Sequence, residues 1–471
     1  MHDDLTREIR TGPTGPAVGA FFDVDGTLWA GFSALAFFRE RLVSGRMSPR
    51  ELAEGLLGTL SFAVGRIGFS GFVTATTAAY RGLAESVLEE IGEEIFEKQM
   101  AAQIYPESRA LVKAHQEQGH TLGIVSSATR YQVEPLAREL GVDIVACTEL
   151  EVEDGVFTGR VLQPTCFGKG KAVAVERIAE ERDLDLDETY FYTDSRDDLP
   201  ALESVGRPRP LNPDSRLAQI GKDNGWPVRR FGSRGRPGAE AILRTGLVYG
   251  SLVPAAVAGL SVGLLTRSQR EGVNLTGSLW GDVAIALSGV DVRVQGEEHL
   301  WSQRPAVFIF NHQSAIDMPL MLKLVRKDVT GIGKQELRWN PIFGPLFRAA
   351  GVVFVDRADS RKAIAALKPA VDALRHGRSL IIAPEGTRTP TPRLARFKKG
   401  AFHLAMQAGV PIVPVVFHNA LDALPKHALV VRPATVEVEV LPPVDTSGWT
   451  KESLDAEIEA IRKKYLDVLE G

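Results

Sequence analysis

Hydrophobic residues alternate along this chain between two arrangements. Short apolar runs stop at a polar or charged residue, and longer stretches between them carry helical spacing. In the first half, Ala17 to Phe22, Thr121 to Val125 and Thr189 to Thr193 read as buried strands ending at Asp23, Ser126 and Asp194. Leu28 to about Gln103 lacks strand alternation and reads as helical, with breaks at Gly45, Pro49 and Gly65. In the second half, Ala306 to Phe310, Val352 to Val355, Leu380 to Ala383 and Ile412 to Val416 read as strands separated by helical stretches. Alternation of this kind predicts an α/β fold in each half, with polar groups collected at the carboxyl edge of a mainly parallel sheet.

Between the halves the pattern changes. Thr245 to Thr266 holds no charged residue and is bounded by Arg244 and Arg267. Its length suffices to cross a bilayer, although Gly, Ala and Pro254 temper its hydrophobicity. A second apolar run, Gly272 to Val290, is interrupted by Asp282. Three arrangements stay open: one membrane crossing, a shallow two-helix hairpin, or a buried soluble helix. The hairpin is preferred, because a crossing separates two regions that both expect cytosolic substrates or ions. Cations at both ends of the first run give no orientation. Residues 206–238, rich in Gly, Pro and Arg, read as a linker.

At 471 residues the chain exceeds what one core usually supports, so two or more domains are expected. A net charge of -4 offers no global attraction for nucleic acid, and none is expected as a partner. Cys147 and Cys166 lack metal-type spacing and suit a reducing cytosol. The first twenty residues lack a basic region followed by an apolar core, so no secretory signal is expected.

Asp23-Val24-Asp25-Gly26-Thr27 follows the first strand. Residues i and i+2 of an extended segment project to one side, so Asp23 and Asp25 can share a site. Two close carboxylates need a cation or a shared proton. Asp194 and Asp198 add further oxygens, a donor set suited to Mg²⁺. Ser126 offers a hydroxyl and Lys171 a point cation for phosphate. On these ordered motifs residues 17–230 resemble the haloacid dehalogenase phosphatase superfamily, in its phosphoserine-phosphatase-like branch. The resemblance implies that Asp23 is the nucleophile and Asp25 the general acid/base. It implies Mg²⁺ held by Asp23, the Asp25 backbone carbonyl and Asp194, and phosphate held by Ser126 and Lys171, with Asp198 orienting the lysine. Lys169 is a neighbouring alternative for that lysine. The helical insert is implied to be a cap. One departure stands out: the carboxylate that reads the substrate amine nine residues after the nucleophile is replaced by Phe32, which argues against phosphoserine.

In the second half, Asn311-His312-Gln313-Ser314-Ala315-Ile316-Asp317 places a histidine just before a helix, with Ser314-x-x-Asp317 at capping-box spacing. Asp317 can reach the other imidazole nitrogen and fix its tautomer. Pro384-Glu385-Gly386-Thr387-Arg388 follows another strand, and Arg393, Arg396, Lys398 and Lys399 form a basic patch without acids. Lys334 to Arg348 interleaves Trp339, Phe343 and Phe347 with Pro341 and Pro345; this fits a core segment, and the aromatic groups with flanking cations also suit a lipid interface. With Gly351 to Arg357 and Val410 to Val415, these four ordered blocks resemble the glycerophospholipid acyltransferase family over roughly residues 290–440. The resemblance implies that His312, oriented by Asp317, deprotonates a lysophospholipid hydroxyl that attacks an acyl thioester. It implies glycerol-phosphate binding by Arg357, Glu385, Gly386 and Arg388.

The expected layout is a flexible tail (1–16), a Rossmann-like hydrolase domain (17–232) with its cap at about 30–103, a linker and apolar membrane-associating hairpin (233–290), and an α/β acyltransferase domain (291–471). The expected function is acyl transfer from acyl-CoA or acyl carrier protein to 1-acylglycerol-3-phosphate, giving phosphatidic acid. It is joined to a Mg²⁺-dependent phosphomonoesterase, on the cytoplasmic face of a membrane. The alternative is an acyltransferase for another lysolipid, whose hydrolase domain only binds lipid phosphate.

Overall fold

Val18–Phe22 (β1) carries no polar side chain and is buried throughout, as a strand covered on both faces must be. In the computed structural model, which describes residues 2–43, 45, 76–340, 343–355 and 368–470, it occupies the middle of a five-stranded parallel sheet. The order is Ile144–Thr148 (β3), Thr121–Thr129 (β2), β1, Asp185–Thr193 (β6), Arg207–Pro210 (β7). Leu150–Glu153 (β4) and Val156–Val161 (β5) form a separate antiparallel hairpin. The helical insert includes Ser33–Val43 (α2) and Glu85–Ile95 (α3). The breaks at Pro49 and Gly65 lie outside the described residues.

Two expectations fail here. Residues 206–238 are not mainly a linker: they supply β7 and Ser215–Asp223 (α6), and the first of two compact units ends at Arg236. Pro208 and Pro210 are tolerated because β7 is an edge strand. Arg207 and Arg209 lay their guanidinium groups over the Tyr190 ring at 5.3 and 5.4 Å. Nor is 1–16 a flexible tail. It begins with His2–Arg10 (α1), buries Ile9, and pairs Glu8 with Arg209 and Arg10 with Glu117. Thr121 donates its hydroxyl to the Pro16 carbonyl.

The same tail closes a buried hydrogen-bond chain from Pro106–Glu117 (α4). His120 Nε2 lies 2.8 Å from the Pro13 carbonyl, which only accepts, so the proton sits on that nitrogen. His120 Nδ1 then accepts from His115 Nδ1 at 2.7 Å, and His115 Nε2 accepts from the Tyr192 hydroxyl at 2.8 Å. Burial drives the pKa of His115 well down and that of His120 down, so both stay neutral.

The second unit, Pro237–Gly471, is built on a seven-stranded sheet. Its order is Val353–Val355 (β11), Val329–Lys334 (β10), Ser379–Ile382 (β12), Val307–Phe310 (β9), Ile412–Phe417 (β13), Ala434–Val440 (β14), Val290–Gln295 (β8). Among the described residues the β13–β14 pairing is antiparallel and the other pairings are parallel, so β14 and β8 run opposite to the other five strands. The Tyr465 hydroxyl of Leu454–Glu470 (α11) donates to Ile309 and accepts from the Val415 amide, fixing that helix over β9 and β13.

The apolar region of this unit is a helical hairpin. Ala239–Gly250 (α7) and Leu252–Thr266 (α8) lead to a left-handed residue, Arg267, after which Gln269–Ser288 (α9) packs back on α8. By length and composition 239–266 could cross a membrane. It is not the buried helix kept open above, because Val253, Val257, Leu260, Leu264 and Leu265 are exposed, the last at 84%. Asp282, the break in the second apolar run, pairs with Lys323 of Asp317–Val325 (α10) and with Arg326, the residue that ends that helix. Beside it, a Cβ on Gly281 would sit 2.6 Å from the Lys323 amide nitrogen, so only glycine permits this crossing of α9 and α10.

Candidate active sites

In the first unit the carboxyl ends of β2, β1 and β6 bring together Ser126, Asp23 and Asp194. Gly26 has φ +74 and lies so near Asp194 that a Cβ there would stand 2.1 Å from its Oδ2. The Asn212 amide donates to the Gly26 carbonyl at 2.8 Å, so a residue from the supposed linker holds the motif's turn. Lys171, on Lys169–Arg182 (α5), is 2% exposed and lies 2.7 Å from both Asp23 and Asp198, whereas Lys169 is exposed. Asp198 also accepts from the Thr193 hydroxyl. Burial opposes the Lys171 charge, yet the two carboxylates outweigh it and raise its pKa. Burial, then the charge of Asp23, pushes Asp194 up to about 8. Ser126 is buried and its Oγ accepts from the Ala128 amide.

Asp25 does not face this cluster freely. Its Oδ1 accepts from Trp29 Nε1 and the Ser33 amide, both at 2.9 Å, and its Oδ2 accepts from Ser33 Oγ at 2.8 Å. Burial raises its pKa and these donors lower it. Phe32, beside Ser33, is exposed. Trp29, Ser33 and Asn212 were not singled out in the sequence, where no spacing marks them.

In the second unit His312 follows β9, and its Nδ1 lies 2.8 Å from Asp317 Oδ2. The capping box is not formed: α10 begins at Asp317 itself, whose Oδ2 accepts instead from the Gln313 and Ser314 amides. Ser314 Oγ accepts from the Ile316 amide and donates to the Leu424 carbonyl. The loop thus folds around a buried carboxylate that three donors converge upon. Burial raises the pKa of Asp317, and His312 and the two amides lower it. Asn311 donates to and accepts from the Phe417 backbone, tying the loop to β13.

β12 lies beside β9, which brings Glu385 to the histidine. Glu385 Oε1 accepts from the His312 amide at 2.7 Å and Oε2 from the Ala395 amide at 2.9 Å, while the Thr389 amide donates to the His312 carbonyl. Both Glu385 oxygens are therefore taken by backbone. Gly386 turns at φ +78 with Lys398 packed against it. Arg388 is half-buried, and its charge reaches Tyr249 and His427. Arg357 lies outside the described residues. An apolar cavity of about 640 Å³ opens among the hairpin, α10 and the sheet edge, with Leu260, Gly277, Trp280, Met318 and Val352 on its walls.

A strand-edge aspartate pair facing a buried lysine, and a histidine oriented by a buried aspartate, define two enzyme-type sites on two α/β sheets. Residues 20–203 match the haloacid dehalogenase-like hydrolase family, and residues 291–418 match an acyltransferase family. A 1-acyl-sn-glycerol-3-phosphate acyltransferase of Limnanthes douglasii is 36% identical over 41% of this chain and 68% of its own length. An inhibition of morphological differentiation protein of Streptomyces azureus is 32% identical over 55% of this chain and 96% of its own. A phosphoserine phosphatase of Mycobacterium tuberculosis is 31% identical over 52% and 82%. The chain belongs to the haloacid dehalogenase-like hydrolases through its first unit and to the 1-acylglycerol-3-phosphate acyltransferase family through its second.

Proposed function

We propose that the second unit acylates lysophosphatidic acid to phosphatidic acid from an acyl thioester on CoA or acyl carrier protein. The observation that carries this is the 2.8 Å bond between His312 Nδ1 and Asp317, which leaves Nε2 as the acceptor nitrogen. His312 Nε2 takes the proton of the lysolipid hydroxyl as that oxygen bonds to the thioester carbonyl carbon. The C–S bond then breaks, and the imidazolium returns its proton to the thiolate. Arg388, with Arg357, pairs with the acceptor phosphate. Glu385 sets the loop that carries His312 rather than touching substrate. The apolar cavity takes an acyl chain, and the bare face of α8 rests in the cytoplasmic leaflet of a membrane.

The first unit is proposed to hydrolyse a phosphomonoester, with Asp23 as nucleophile, Asp25 as acid/base, and Ser126 and Lys171 on the phosphoryl group. Its residues fit Mg²⁺. Asp23, Asp194 and Asp198 crowd about one ammonium, and the excess negative charge and oxygen-only donor set suit a hard cation. When bound, the ion offsets charge on the phosphoryl oxygens. An exposed Phe32 in place of an amine-reading carboxylate favours a lipid-related ester over phosphoserine.

Purified protein incubated with labelled acyl-CoA, a lysolipid panel and Mg²⁺ tests both readings. His312→Ala is expected to lower acyl transfer about 10²–10⁴-fold, and Asp23→Asn to stop phosphate release. Near-normal transfer by the first variant removes the acyltransferase mechanism. Absence of phosphate release and of any aspartyl-phosphate in the unaltered protein leaves a lipid-phosphate-binding regulator.

A further inference from the structure

The aromatic and cationic stretch from Lys334 to Arg348 takes no part in the chemistry proposed above. Its described residues include Gln335–Trp339, a 3₁₀ turn that follows β10, and the short helix Phe343–Ala349. No side chain of the 3₁₀ turn is buried; Leu337 is 37% exposed and Trp339 76%. An indole held in water gains nothing from its large apolar surface, whereas a lipid interface takes up both its ring and its N–H.

The two elements enclose a cleft of about 340 Å³, walled by Arg338, Trp339, Asn340, Pro345 and Arg348. Arg348 Nη1 donates to the Arg338 carbonyl at 2.7 Å, and the Arg338 guanidinium lies 5.7 Å from the centre of the Trp339 ring. One cleft thus collects two guanidinium groups. Among the described residues neither forms an ion pair, and Glu336 on the same turn is exposed and pairs with neither. Paired arginines without a counter-charge repel each other, and their forked donors suit the oxygens of a phosphate.

The cleft also has an apolar neighbour. Pro345 walls both it and the 640 Å³ cavity beside α8. One turn further along the same helix, the Ala349 carbonyl accepts from Gln269 Nε2 at the bend of the hairpin. The exposed Leu264 and Leu265 come just before that bend. Cationic cleft, exposed indole and bare hydrophobic helix end are therefore contiguous.

We propose that Arg338, Trp339 and Arg348 form a site for the phosphate of an anionic phospholipid in the membrane, distinct from the acceptor phosphate given to Arg388. The phosphate sits between the two guanidinium groups, the indole lies at the level of the glycerol, and α8 reaches deeper. A soluble anion would satisfy the arginines but leave Leu337 and Trp339 in water; a lipid engages all of them. This site rests on the membrane docking of α8 proposed above.

The test sediments the full chain with vesicles of phosphatidylcholine alone, or of phosphatidylcholine mixed with phosphatidylglycerol. The unaltered protein is expected to prefer the anionic vesicles. Arg338→Gln, which leaves the Arg348 bond to the backbone in place, should lower that preference about 5-fold, and Arg338→Gln with Arg348→Gln about 25-fold. The same charge removed at Arg293 of β8, on the opposite edge of the sheet, and at Lys463 of α11 should leave the preference nearly unchanged. Equal losses from the two pairs would reduce the effect to net charge and overturn the site. Trp339→Phe should reduce quenching of tryptophan emission by lipids brominated near the headgroup, and undiminished quenching also overturns it. Displacement from anionic vesicles by coenzyme A at matched ionic strength would make the arginines a site for soluble phosphate instead. If the unaltered protein binds both vesicles equally, this site fails while the docking of α8 stands. Binding to neither removes the docking, and this site with it.

Discussion

Glu385 accepts a hydrogen bond from the backbone amide of His312 at 2.7 Å, and its other oxygen accepts from Ala395 at 2.9 Å. A carboxylate following one strand thereby fixes the loop following its neighbour. Burial raises the pKa of Glu385 and these amides lower it.

Replacing Glu385 with glutamine keeps its size but sets an amide donor against a backbone donor. An unpaired buried donor costs about 1–3 kcal/mol, so kcat for acyl transfer is expected to fall roughly 10- to 100-fold with little change in acceptor KM. Steady-state kinetics over a lysophosphatidate series checks it. A raised KM with kcat preserved would instead make Glu385 a substrate ligand.

Gly277 lines the apolar cavity, and a Cβ there meets only Leu322 at 3.4 Å. Gly277→Leu therefore fills space without an immediate clash. Long acyl donors are expected to lose rate about 10-fold more than short ones, because a few lost methylene contacts are worth about 1–3 kcal/mol. A competition assay with mixed acyl-CoA lengths measures this. Uniform loss would place the acyl chain elsewhere.

Gly281 against α10 is a different case. Gly281→Val forces a branched side chain onto the Lys323 and Pro319 backbone, an overpacking cost of typically about 1–3 kcal/mol. Thermal unfolding should lose several degrees, and acyl transfer should fall because α10 begins at Asp317. Retained stability and rate would mean that the helices part without consequence.

The His115–His120 pair gives the first unit an acid limit. Both folded pKa values lie below the ordinary value near 6.5, so on acidification the unfolded chain takes up protons first. Stability is therefore full above about pH 6.5 and falls as pH drops below it, by at most about 1.4 kcal/mol per pH unit for each histidine. Denaturant midpoints of the first unit's transition between pH 5 and 8 should show this slope. His120→Gln should lower the plateau and flatten the slope, and an unchanged slope would assign the acid sensitivity to other groups.

Much of this was legible in the chain because the candidate carboxylates and histidine follow apolar strands that pattern marks clearly. Asp23, Asp194, His312 and Glu385 all sit where a strand stops. What escaped was set by long-range contact. Asn212 lay in a Gly/Pro/Arg-rich stretch whose composition hid edge strand β7. The strand Val290–Gln295 was masked by the apolar run before it, although its inward residues alternate. Ser314-x-x-Asp317 matched a cap by spacing, but the imidazole and two upstream amides competed for the same carboxylate and won. Asp282 looked like a flaw in an apolar helix until Lys323 and Arg326 appeared opposite it.

That last contact also sets a scale of length. α9 is joined through Gly281 and Asp282 to the helix whose first residue is Asp317, and its other side packs on the oily rod of α8. In the membrane docking proposed above, a lipid layer receiving that rod would hold the imidazole at a fixed altitude above the hydrocarbon, set by the crossing of two helices rather than by any loop. On that proposed docking, acceptors whose hydroxyl lies at another height are expected to react more slowly.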